Sequence, residues 1–255
     1  FFARCELNGD WQRRANKDSA MKLHLDADRL PAIKRRLREA FPSSKPSVRI
    51  EAFARGVDFK THAALLSALQ TGPRSVELND AAFEQYFIAH SVQPAPRTFR
   101  RAVIRACIEP LLETNWRLTA HGYGVPDSYG GSGPLYTEEM ARSRAAFFDD
   151  RFCDQFELAL LFLQNCDRRK TLNRNASSYG MKHTAENISR EFGVRTDLGN
   201  YVANGVFIAA AAYDGYELRP VDTFSLNANL NISERSRKLF KDRDWVRHRL
   251  TDQPI

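Results

Sequence analysis

Residues 201–213, YVANGVFIAAAAY, carry no charged side chain and include Val202, Val206, Phe207, Ile208 and four consecutive alanines at 209–212. A helix that is apolar on every side belongs inside a core, and its small residues let neighbouring helices approach closely. The rest of the chain must then supply amphipathic helices to surround it. At 255 residues with 43% apolar content, it has enough material for one large domain or two small ones with a real core.

Helical periodicity recurs along the chain. Over 30–41, Leu30, Ile33, Leu37 and Phe41 share one face, with Pro31 in the first turn. Lys34, Arg35, Arg36 and Arg38 cover much of the remainder, as a solvated face or a phosphate-facing one. Residues 47–70 read as two short helices around Gly56, with helix-turn-helix proportions. Only Lys60, Thr61 and His62 are placed there to read bases, so a structural helical hairpin fits equally well. Residues 73–80 read as a turn region, and a short helix over 80–90 turns Phe83, Phe87 and Ile88 inward. Residues 92–96 are a proline-broken linker.

The pattern over 98–113 is strongly helical, but Arg97, Arg100, Arg101 and Arg105 crowd its first half. Cations at a helix N-terminus oppose the helix dipole, so this cluster requires acidic side chains or phosphate as partners. Residues 137–167 form a long helix or a broken pair, with Thr137, Glu138 and Glu139 as a starting signal. Between these helices, 116–134 is an irregular Gly/Tyr-rich loop with a short strand over 116–119. Gly130, Gly131 and Gly133 lack the Gly-Lys-Ser/Thr sequence of a nucleotide-binding loop. Tyr123, Tyr129 and Tyr136, expected to be exposed in 122–136, would suit a protein interface.

The basic run RRKTLNRNASS at 168–178 precedes a helix expected over 179–192. It reads as a phosphate-gripping loop. Guanidinium and ammonium groups neutralise phosphates, and short amide and hydroxyl side chains bond their oxygens. The expected contacts are Arg168, Arg169, Lys170, Arg174 and Lys182, with Ser177 and Ser178 assisting and one of these serines capping the helix. Arg100, Arg101 and Lys238 are further candidates. Lys238 lies in a basic terminal helix expected over 233–250, after a polar, irregular stretch from Arg219. An acid–base reading of Ser178, Tyr179, Lys182, His183 and Glu186 meets no established spacing. Ser178 and Lys182 are not Ser-x-x-Lys, and Tyr179 and Lys182 fall one residue short of Tyr-x-x-x-Lys. No catalytic residue is assigned, and a hydrolase using His183 and Glu186 ranks third.

The formal net charge of +7 favours a polyanionic partner. Cys5, Cys107, Cys153 and Cys166 have neither zinc-finger nor CxxC spacing, so no metal or cofactor is expected, and a reducing cytoplasm is the simplest setting. No run of eighteen apolar residues predicts a membrane span. Residues 1–20 lack the apolar core of a signal peptide and read as a separate extension.

Three segments, IEAFARGVDFKTHAALLSAL, RKTLNRNASSYGMKH and NYVANGVFIAAAAYDGY, resemble uncharacterised accessory proteins of bacterial plasmids and integrative conjugative elements. The resemblance implies a bacterial mobile-element setting and transfers no catalytic residue. The expectation is a mainly α protein of helical bundle-like modules, with the Gly/Tyr-rich loop and room for one short hairpin. Its parts are an extension at 1–20, a small module at 21–92 and a larger helical domain at 97–255. It would bind nucleic acid, DNA in the first instance. The alternative is a protein-binding adaptor or inhibitor in a host-defence or conjugation complex.

Overall fold

The computed structural model describes residues 21–129 and 131–250, with side chains through 247. The extension expected over 1–20, with Cys5, lies outside the described residues, as do Gly130 and the side chain of Arg249. The chain is mainly helical, with three small antiparallel sheets. Strand β1 (Lys22–Leu25) leads into α1 (Leu30–Ala40), α2 (Pro46–Gly56) and α3 (His62–Gln70). Strand β2 (Arg74–Glu77) then pairs with β1, and α4 (Asp80–Ala89) follows. Next come α5 (Thr98–Thr114), the two-residue strands β3 (Leu118–Thr119) and β4 (Gly122–Tyr123), α6 (Pro134–Ala145) and α7 (Asp150–Gln164). The remainder is β5 (Arg168–Ser177), α8 (Ser178–Phe192), α9 (Asn204–Tyr213), β6 (Leu218–Pro220), β7 (Ala228–Ile232), α10 (Glu234–Leu239) and α11 (Arg243–Leu250). No helix among the described residues is long and apolar enough to cross a membrane.

As its composition requires, α9 is the buried centre: Val206, Phe207, Ile208 and the alanines at 209–211 have no exposed surface. Helix α7 packs along it, with α5 and α8 on further sides. One buried cluster runs from Met21 and Leu23 through Phe83 and Phe99 to Phe156 and Phe207. Phe83 stacks on Phe99 with centroids 4.1 Å apart, joining α4 to α5 across the linker at 92–96. The β1 backbone is tied to the far side of the core by two polar side chains, Gln164 and Tyr213. Gln164 Nε2 donates to Lys22 O at 2.6 Å, and the Tyr213 hydroxyl accepts from His24 N at 2.9 Å.

The structure selects one of two alternatives left open by the sequence and departs from the sequence expectation at three places. The 137–167 pattern is a broken pair: α6 begins at Pro134 after Gly133 (φ 89°), and a 3-10 turn at Ala146–Phe148 separates it from α7. The terminal helix is split into α10 and α11. The turn expected over 73–80 contains β2, and the stretch after Arg219 contains β6 and β7. Ala228, Leu230 and Ile232 alternate with asparagines, which is a strand period rather than irregular chain. The Gly/Tyr-rich loop does hold the short hairpin, β3 with β4.

Helix α9 starts against that hairpin. Gly205 N donates to Ala120 O at 3.0 Å, and a Cβ at Gly205 would lie 1.7 Å from the Thr119 carbonyl oxygen. Gly205→Ala therefore forces two backbones apart in a packed region. It is expected to destabilise the fold by about 3 kcal/mol in equilibrium urea unfolding.

Candidate nucleic-acid interface

The basic run is not a loop but β5, an edge strand of the sheet ordered β5-β7-β6. Its register against β7 jumps twice: Arg168 faces Ile232, Asn173 faces Leu230 and Ser177 faces Asn229. More residues of β5 than of β7 fill each interval, so the strand bulges at both places. Two asparagines make up for the interrupted ladder. Buried Asn173 donates from Nδ2 to Ile232 O at 3.0 Å and accepts from Asn175 N at 3.0 Å. Asn231 donates to Arg169 O at 2.9 Å. The residues displaced by the bulges include Arg169, Lys170 and Arg174, all exposed. Arg169 bonds the Thr171 hydroxyl at 2.8 Å. Among the described residues, neither Lys170 nor Arg174 has an ion-pair partner.

Helix α10 flanks this edge. Arg237 Nη1 donates to Asn175 O at 2.9 Å, and Ser233 caps the helix by accepting from Ser236 N at 3.0 Å. Lys238 and Lys241 are exposed beside it. On the opposite edge, Arg219 faces Asn229, the residue that also faces Ser177.

Other expected contacts are occupied within the fold. Arg168 bonds Asp214 Oδ2 at 2.7 Å, and its guanidinium lies over the Tyr216 ring. Arg100 pairs with Asp80 at 2.8 Å and Glu157 at 3.1 Å. Arg101 pairs with Asp150 and Asp154, both at 2.7 Å. The partners demanded by the α5 arginines are thus carboxylates of α4 and α7. At the centre, Glu157 is fully buried and accepts from Arg97 Nη2 at 2.7 Å, Arg100 Nη1 at 3.1 Å and Arg195 Nη1 at 2.7 Å. Arg97 and Arg195 both hold left-handed backbone, at φ 63° and 50°, a conformation that costs energy for any residue but glycine and asparagine.

Ser177 is the cap of α8, accepting from Gly180 N at 3.2 Å. Ser178 is fully buried: its hydroxyl donates to Asn204 Oδ1 at 2.8 Å and accepts from Ala228 N at 3.1 Å, so it locks α8 to α9 and β7. Lys182 is buried too, 3.0 Å from Glu186 Oε1. That oxygen also accepts from Val202 N at 2.9 Å, while Glu186 Oε2 lies 2.6 Å from His183 Nδ1. Lys182 and Ser178 are therefore held inside the fold, beneath the candidate surface. Glu186 orients half-exposed His183, but both its oxygens are committed, and Ser178 Oγ is held away from solvent.

Several other expectations are redirected by burial. Tyr123, Tyr129 and Tyr136 are partly buried, and burial pushes the Tyr123 phenol up. Among the described residues the exposed aromatics are instead Trp116, Tyr179, Tyr201 and Phe224. Of these, Tyr201 carried no sequence signal as a surface residue, because it opens an otherwise buried segment. In the 47–70 hairpin, Thr61 caps α3 by accepting from Ala64 N at 3.1 Å, and Glu51 accepts from His62 N at 3.0 Å. Burial, with Lys34 nearby, lowers the His62 pKa. Burial raises Cys153 to about 12, so this thiol is unreactive at neutral pH. Among the described residues no group of His, Cys, Asp and Glu is arranged to hold a metal ion. No family model, curated protein or solved structure matches the chain.

The carboxylate–arginine cluster yields two expectations. Glu157→Ala leaves three guanidiniums facing each other around an apolar hole, and equilibrium unfolding is expected to show a loss of about 3–5 kcal/mol. At its rim, the hydrogen bond from Arg195 holds Asp197 below the usual carboxylate range. A depressed pKa stabilises the fold above the unfolded value and loses that contribution as pH falls through the folded one. The melting temperature should drop on acidification below about pH 4, and Asp197→Asn should flatten that limb.

Proposed function

We propose that the protein binds DNA, chiefly through phosphate contacts, along the β5 edge and α10. The observation that carries the reading is the contrast in arginine use. The α5 cluster is neutralised by carboxylates, whereas the two β5 bulges present Arg169, Lys170 and Arg174 without acidic partners among the described residues, with Lys238 beside them. An edge strand with exposed, unpaired cations suits a phosphate chain, which offers acceptors at regular intervals. Such contacts position a nucleic acid without reading its sequence. The resemblance of three segments to mobile-element accessory proteins supports a setting in the cytoplasm of a bacterium that carries such an element.

A protein partner is the second reading. Trp116 and Phe224 are 68% and 87% exposed, and Arg117 Nη2 joins the loops that carry them by donating to Thr223 O at 2.9 Å. Exposed aromatics of this kind occur at protein interfaces.

The deciding measurement is a gel-shift titration across salt. Three or four phosphate contacts give a slope of about −3 to −4 in log affinity against log salt. Lys170→Glu and Arg174→Glu should weaken binding to every sequence alike, while Lys60→Glu, on the helical hairpin, should not. Absence of binding at low salt, with a protein partner co-purifying, would favour the second reading.

A further inference from the structure

Tyr179 and Tyr201 are 53% and 59% exposed, and the buried Lys182 ammonium lies over both rings, 5.2 and 5.1 Å from their centroids. A lysine between two tyrosines fixes their spacing and orientation. It is itself fixed by Glu186, which also accepts from the backbone one residue after Tyr201. Tyr179 is further braced by the His183 ring, edge-on at 4.5 Å between centroids. Both rings are therefore ordered before any ligand arrives, so little side-chain entropy remains to be lost on binding. Tyrosines that served only the core would not leave more than half their surface to water. Neither hydroxyl is anchored in a network: among the described residues neither makes a hydrogen bond.

The position of the pair matters as much as its order. Tyr179 follows the last residue of β5 by two positions, and Arg174 is five residues before it, within about 17 Å of chain at full extension. A ligand whose charges lie along the β5 bulges thus reaches two flat, open aromatic faces at the end of the same strand. Duplex DNA hides its base faces inside the stack and cannot use them. An unpaired strand offers alternating phosphates and free π-faces, which is the combination of groove and stacking platform that single-strand binders use.

We infer that the ligand of this surface is single-stranded DNA, with phosphates on Arg169, Lys170 and Arg174 and bases stacked on Tyr179 and Tyr201. This rests on the DNA-binding reading above and adds the strandedness. Lys182 is a positioning residue: it sets the two rings and does not touch the strand.

The test uses the full chain, a short oligonucleotide with 2-aminopurine at successive positions, and the matching duplex. Wild-type protein should bind the single strand more tightly than the duplex and quench the 2-aminopurine fluorescence where a base stacks. Tyr179→Ala and Tyr201→Ala should each weaken single-strand binding about ten-fold and relieve the quenching, with duplex affinity unchanged. Tyr179→Phe and Tyr201→Phe keep the π-face and should behave as wild type, which separates stacking from any loss of fold. Alanine variants that bind the single strand like wild type, or lose duplex and single-strand binding equally, overturn the stacking inference and leave phosphate binding intact. Failure of wild type to bind either form at low salt, or indifference to Lys170→Glu, overturns both.

Discussion

Three guanidinium groups converge on the Glu157 carboxylate, which water does not reach. Two come from the start of α5, Arg97 as its cap and Arg100 in its first turn, and one from the turn after α8, so one side chain of α7 joins two distant parts of the chain. Burying a charge is tolerable only where partners surround it, and here the partners are shared: Arg97 also bonds Asp154, and Arg195 also bonds Asp197. Two of the arginines accept an unfavourable left-handed backbone to reach the site. The cluster fixes how α4 and α5 meet α7, and through α7 it sets the position of α9 and of β5, which follows α7 after a three-residue connection.

Helix periodicity made α1, α4, α5 and the buried character of α9 readable directly, because Leu30, Ile33 and Leu37, or the alanines at 209–212, permit few other arrangements; in α4 only Phe83 and Phe87 are buried, while Ile88, expected inward, is exposed. The strands were harder to see. β5 contains Arg168, Lys170, Asn173 and Asn175, poor strand formers whose pairing is supplied by β7, fifty residues later. A long-range partner leaves no mark in a local window. The alternation of Ala228, Leu230 and Ile232 was the available signal, and it lies in the partner instead of the basic run.

The candidate surface was legible in part for the same reason. A sequence shows where cations are, not where carboxylates will face them. Arg100 pairs with Asp80 and Glu157, and Arg101 with Asp150 and Asp154, so both are neutralised within the fold. Lys182 and Ser178 dropped out because the first turn of α8 faces inward at those positions and outward at Tyr179. What remained, Arg169, Lys170 and Arg174, is the subset that two bulges push away from the sheet. The tyrosine pair became visible only when α8 and the start of α9 were placed together.

The double bulge also governs how the molecule treats its own kind. A straight edge strand is a template on which a second copy can extend the sheet, and repeated extension leads to fibres. An edge whose register shifts twice presents its amide and carbonyl groups out of step, and its cations repel an identical neighbour. Rigid β-partners are turned away, while a flexible polymer of negative charge can follow the irregular outline. The same local defect that spoils the ladder thus disfavours sheet extension by a second copy of the protein, and under the proposed function it leaves the edge to a ligand that needs no peptide ladder.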